Sequence, residues 1–313
     1  MNALLSHLIR SQGYAVHASV GVAMGGLINI ALDPLFMFVI LRPGEEIVGA
    51  ALATALSNVA SLAYFLVVVY RKRRALVLSF RPTVRALDGY IPRSVFSAGL
   101  PAFLMTLCEN ISYAVLDNLM SIYGTAMQAG IGVAKKVNML AHCIVRGMSQ
   151  GVLPLIGYNY AAKNMKRMKA SINLSMALSV GMASLCMLAS LLFSRELVGV
   201  FIKHCSASFD ASAKFLRILC LGGPFSACAY AIISFFQATG KGMRSFVLAI
   251  LRKGVLDIPL MFALNRPFPV YGIVWATPIA DLVCCATALE LFITFLKHHE
   301  LIGRKKQELL AEA

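Results

Sequence analysis

Eight apolar stretches, each long enough to cross a bilayer, restrict the fold of this 313-residue chain more than any single motif does. A helix needs roughly 20 apolar residues to span the hydrocarbon core, and its backbone polar groups must be satisfied within the segment. The stretches are 15–41, 48–70, 95–120, 126–156, 172–193, 213–238, 246–265 and 270–296. Residues 1–12 read as the end of a further helix whose beginning is absent. Hydrophobic residues make up 59% of the chain against 14% charged, with a mean hydropathy of +0.75. Such a chain lacks the polar residues to coat a soluble core. The expected fold class is all-α: a polytopic membrane protein of about eight transmembrane helices plus a stub.

The formal charge of +15 would suit a nucleic-acid partner, so the placement of the basic residues matters. When the loops are assigned alternately to two sides, one side carries 18 Lys and Arg and the other 5. The rich side includes the runs Arg71–Arg93, Lys163–Lys169 and Lys297–Lys306, and is cytoplasmic by the positive-inside rule. The surplus charge therefore meets anionic lipid, and no nucleic-acid partner is needed. The chain is expected in the cell (inner) membrane as a multi-pass protein, without a cleavable signal peptide. The eight cysteines show no metal-ligand spacing, and no nucleophile–base pair or phosphate loop is present. Neither a metal, a cofactor nor an enzymatic activity is expected.

The chain also carries a weak internal copy, in which residues 13–74 recur as 240–297. Gly13 answers to Gly240, Asp33 to Asp257, and Arg42-Pro43 to Arg266-Pro267. The string Gly49-x-x-x-Ala53-Thr54 recurs as Gly272-x-x-x-Ala276-Thr277. The two copies run the same way through the membrane, as parallel repeats do, and duplicated apolar bundles are a common plan for transporters.

Several motifs resemble the multidrug and toxic compound extrusion (MATE) transporters. They are Leu27-Ile28-Asn29-Ile30-Ala31-Leu32-Asp33-Pro34, Ala98-Gly99-Leu100-Pro101, Gln150-Gly151-x-x-Pro154-x-x-Gly157-Tyr158-Asn159-Tyr160 and Phe236-Gln237-Ala238-x-Gly240-Lys241. The Gln-Gly-to-Tyr-Asn-Tyr stretch is the most specific, and the resemblance covers nearly the whole chain. It implies a bundle of two lobes, six helices each, around a cavity open to one side at a time. On that reading residues 1–80 are the remainder of an incomplete first lobe (the end of helix four, then helices five and six). Residues 81–94 are then a cytoplasmic linker, 95–296 the six-helix second lobe and 297–313 a cytoplasmic tail. The chain is accordingly expected to be N-terminally truncated, as a gene fragment or through a start that lies upstream.

Ionisable residues at bilayer depth cost several kcal/mol and mark partners, water or function. Six acids lie in the spans (Asp33, Glu109, Asp117, Asp257, Asp281 and Glu290), matched in number by six bases in the spans or at their edges. Glu109 resembles the family position where a carboxylate helps bind the coupling cation, H⁺ or Na⁺. The alternative is a structural ion pair with Lys135, Lys136 or Arg146. Sodium-coupled relatives have a second carboxylate on helix ten, where this chain has Cys228. Lys135, Asn138, His142, Arg146 and Ser149, with Gln150 beside them, form a polar stripe at helical spacing that lines a cavity or packs against polar helices. Arg252 meets an anionic substrate or, with Lys253, neutralises Asp257. Asp33 and Asp257 share a structural task by their repeat positions. Asn110, Asp117 and Gln237 complete the candidate cation-coupling and substrate cavity. Pro101, Pro154, Pro224 and Pro259 are expected to bend their helices.

The function implied by the resemblance is secondary antiport, exporting organic cations and drug-like compounds in exchange for H⁺ or Na⁺. The partners are a small organic substrate and the lipid bilayer, and the protein is expected to act as a monomer. The alternatives are a flippase for a lipid-linked intermediate and a non-functional fragment of a MATE transporter.

Overall fold

The structure is a computed structural model and describes residues 1–40, 44–73, 90–202 and 207–311. The chain divides into two units, Met1–Asp88 and Gly89–Ala313. Most of the expected linker 81–94, and the repeat pair Arg42-Pro43, lie outside the described residues.

In the first unit α1 (Asn2–Ser11) leads into α2 (Ala15–Leu35), which continues as a π turn over Phe36–Ile40, and α3 (Glu46–Arg71) follows. Leu5 and Ile9 pack with Ala18, Phe65, Val68 and Val69. Small residues let α2 and α3 approach closely, as in membrane helix pairs where lipid removes the hydrophobic drive. Ser61 Oγ donates to the Gly21 carbonyl at 2.8 Å, and a Cβ on Gly21 would strike the Phe65 ring.

In the second unit α4 (Tyr90–Ser121), α5 (Thr125–Ala161) and α6 (Met165–Leu192) are joined by short turns. The short α7 (Ser194–Gly199) precedes α8 (Ala207–Cys220), and α9 (Gly223–Ala238) leaves α8 at a bend of 46°. Next come α10 (Gly242–Ile250), a π turn over Leu251–Leu256, α11 (Asp257–Asn265) and α12 (Tyr271–Ala311). α12 runs unbroken through the expected tail as far as Ala311. Among the described residues five segments are long and apolar enough to cross a membrane, and the bent α8–α9 pair, taken as one span, makes a sixth. The remaining two of the eight expected spans are α4 and the interrupted α10–α11, both of which carry charges.

Among the described residues two large apolar cores hold this unit, with a small cluster of Val145, Ala183, Ala227 and Tyr230 beside them. One gathers Leu116, Met120, Ile131, Phe215, Leu216, Met261, Ile273 and Val274. The other gathers Ile156, Met168, Ile172, Phe235, Phe236, Phe292 and Phe295. Phe235 meets Phe292 and Phe295 edge to face, with ring centroids 5.1 and 5.4 Å apart. Arg146 on α5, Arg252, Lys253 and Asp257 on α10–α11 and Asp281 on α12 fall between the positions belonging to these two cores, so a polar layer lies between apolar ones.

The internal repeat has a structural counterpart. Gly13 and Gly240 both have positive φ, +89° and +72°. Both close a helix end by the same pair of bonds. Gly13 N–H donates to Arg10 and Tyr14 N–H to Ile9, while Gly240 N–H donates to Gln237 and Lys241 N–H to Phe236. Gly49 lies against the Phe36 backbone and Gly272 against the Leu264 carbonyl. The expected proline bends are only partly mid-helix. Pro154 lies inside α5 and Pro259 follows the π turn within a continuous helical run, but Pro224 sits in the first turn of α9, where a missing N–H costs nothing.

Candidate functional site

The polar layer of the second unit is built from five helices. Glu109 on α4 forms an ion pair with Arg146 on α5. Arg146 also donates to Tyr230 Oη on α9 at 2.9 Å, and Tyr230 Oη donates to the other Glu109 oxygen at 3.3 Å. The three side chains close a ring of charge-assisted bonds. Its Arg146 side chain is 43% exposed and its Glu109 side chain 15%.

The Tyr230 ring extends this triad inward. The Arg146 guanidinium lies 5.2 Å from its centroid and the Arg252 guanidinium 4.6 Å, so the ring interacts with both cations. Arg252 is buried and donates to Asp281 Oδ1 on α12 at 2.5 Å. Asp281 also abuts the bend between α8 and α9, since a Cβ on Gly222 would lie 2.9 Å from its second oxygen. The next residue, Lys253, donates to Asp257 at 2.9 Å. Asp257 is fully buried and also accepts from Ser112 Oγ at 2.6 Å and Thr277 Oγ1 at 3.0 Å. A second tyrosine, Tyr113, has Lys135 at 4.5 Å and Lys253 at 5.5 Å from its ring. Buried charges survive only when paired and hydrogen-bonded, and this layer meets that condition.

The first unit repeats part of this arrangement with neutral chemistry. Asn29 stands one turn before Asp33, as Lys253 does before Asp257, and donates to it at 3.2 Å and to Thr54 Oγ1 at 3.4 Å. Thr54 and Thr277 are the equivalent threonines of the two copies.

Of the residues singled out from the sequence, Glu109, Arg146, Arg252 and Asp257 come together here. Asn138 and His142 line a small pocket with Val145, Ala183, Ser190 and Cys220, with room for about one water at ≈ 10 Å³. His142 Nδ1 is 3.5 Å from Ser226 Oγ, at the limit of hydrogen bonding. Along the polar stripe of α5, Ser149 is buried and Lys135, Asn138, His142 and Arg146 are half-buried. Lys136, Asn110 and Asp117 are exposed; Asn110 bonds back to the Thr106 carbonyl, and Asp117 accepts from Gln128 at 3.1 Å. Gln150 and Gln237 are half-buried and take no part in the charged layer among the described residues. Of the pair expected to neutralise Asp257, Lys253 does so, whereas Arg252 is bonded to Asp281. Tyr230 went unrecognised because it stands alone in the apolar run of α9, where nothing in the spacing marks it.

Comparison with known proteins bears on the whole chain. The MatE family model matches residues 101–263, just over half of it. The multidrug export protein MepA of Staphylococcus saprophyticus is 29% identical over 289 residues, and that of Staphylococcus aureus strain N315 is 29% identical over 287. Each alignment covers 91% of this chain and 62% of the relative, so the chain spans less than two thirds of their length. A solved outward-facing multidrug resistance MATE transporter superposes with a TM-score of 0.85 at 22% identity, covering 95% of this chain and 66% of that one. Another, MATE in the straight conformation, gives 0.83 at 21%, with coverage of 95% and 67%. The all-α fold and the multi-pass membrane character follow, and by its matched residues this chain belongs to the MatE family.

Proposed function

We propose that this protein serves in secondary antiport, exporting small drug-like organic molecules, organic cations among them, in exchange for H⁺ or Na⁺. The observation that carries this reading is Glu109, a carboxylate partway along a membrane helix, tied to a half-exposed arginine and a tyrosine hydroxyl. Such a group gains or loses a cation and changes its partners as it does so, which antiport requires of a shared site. The name multidrug export protein carried by the MepA relatives agrees with it. The protein acts as a monomer in the bilayer and needs no cofactor beyond the coupling ion.

The test is ethidium accumulation in a drug-sensitive host. Expression of the chain lowers accumulation, and Glu109→Gln removes that effect at least about tenfold in rate, about 1.4 kcal/mol of coupling, with membrane insertion unchanged. Equal accumulation with and without the chain would reject export. Normal efflux by Glu109→Gln would make the carboxylate structural.

A further inference from the structure

We propose that Arg146 is a built-in counter-ion that fills the cation position at Glu109 and keeps Na⁺ out of it. The inference rests on Glu109 being the coupling carboxylate, and it names which ion that site admits.

The argument is one of ligands and charge. Both oxygens of Glu109 are engaged, one by Arg146 and the other by Tyr230. Arg252 and Lys253, from the π turn, add positive charge around the same carboxylate. A hard cation binds through several oxygen ligands, and each ligating carboxylate offsets part of its charge. The other acids of the layer are already spent. Asp257 is taken by Lys253, Ser112 and Thr277, and Asp281 by Arg252. α9 presents Tyr230 here, while Cys228 packs in the second apolar core beside Met176, and 207–238 holds no acid beyond Asp210, which pairs with Arg195. His142, on the same face of α5, is turned to Ser226. Na⁺ would therefore have to displace Arg146 from Glu109 with no second carboxylate to help, because Asp257 and Asp281 already answer Lys253 and Arg252.

Arg146 also competes on favourable terms. Its guanidinium is tethered to α5 and donates to both Glu109 and Tyr230, whereas free Na⁺ must give up translational freedom and hydration water. A proton needs neither a coordination sphere nor room. Its arrival breaks the pair with Arg146, whose half-exposed side chain keeps its bond to Tyr230. Arg146 is thus a specificity-determining residue for the coupling ion.

Thermal unfolding of the purified full chain in detergent, in NaCl against choline chloride at equal ionic strength, tests this. The wild-type Tm is the same in both salts. Arg146→Gln gains a Na⁺-dependent rise of about 3 °C, and Arg146→Gln combined with Glu109→Gln loses it. Stabilisation of the wild type by Na⁺ overturns the proposal, as does an Arg146→Gln protein indifferent to Na⁺ or a response that survives in the double variant. Should Arg146→Gln not fold, sodium NMR line widths of the wild type and Glu109→Gln decide. Equal widths support exclusion, and a broader wild-type line refutes it. Failure of wild-type ethidium efflux would strike the transport reading and leave this salt comparison standing, so the two fail separately.

Discussion

Asp281 and Asp257 are 2% and 0% exposed, and each has a cation of its own on the π turn between α10 and α11. Removing one partner leaves the other charge buried and alone, which is far more damaging than removing both. Arg252→Met is therefore expected to lower unfolding free energy by about 3–5 kcal/mol. Adding Asp281→Leu is expected to recover most of that loss, measured by denaturant unfolding in micelles. Tyr230→Phe probes a subtler term, because it keeps the ring beside both guanidiniums and deletes only the hydroxyl. A loss of about 1 kcal/mol is expected, and a loss as large as that of Arg252→Met would mean the hydroxyl organises the whole layer. At this scale the sequence offered Lys253 for Asp257 and Arg146 among three candidates for Glu109, but not the pairing of Arg252 with Asp281. Arg252 and Asp281 are 29 residues apart, and no spacing rule links them.

Among the elements, the repeat was legible because it is written in residues with local backbone meaning. Gly13 and Gly240 occupy left-handed positions that favour glycine, and Gly49 and Gly272 sit where a Cβ would meet a neighbouring backbone. The severity differs between the copies: the added Cβ would be 2.9 Å from the Phe36 backbone at Gly49 but only 2.0 Å from the Leu264 carbonyl at Gly272. Gly272→Ala should destabilise by about 1–3 kcal/mol and Gly49→Ala by less, both read from thermal melts. A reversed order would show that the α11–α12 connection yields more easily than its geometry suggests. That connection is already tight, since Val270, a β-branched residue, adopts φ +68°. The π turns were not legible. Hydropathy runs on through 36–40 and 251–256, and widening a helix by one residue per turn leaves no mark in composition.

For the molecule as a whole, membrane character follows from the amounts and positions of apolar residues, and the loop charges predict an orientation. Single cysteines in a cysteine-free background test this. Arg266→Cys is expected to label from outside the cell, and Lys241→Cys only after permeabilisation. Labelling of both from one side would refute the assignment. By itself the sequence displayed the apolar runs, the uneven distribution of basic residues among loops, the duplicated glycines and aspartates, and the family. Each of these depends on local chemistry or on period. Only tertiary structure decided that Glu109 rests on Arg146, that Tyr230 joins that pair to Arg252, and that Asp281 is the anion answering Arg252. Those contacts join helices far apart in the chain, and burial makes a charge seek the nearest partner in space.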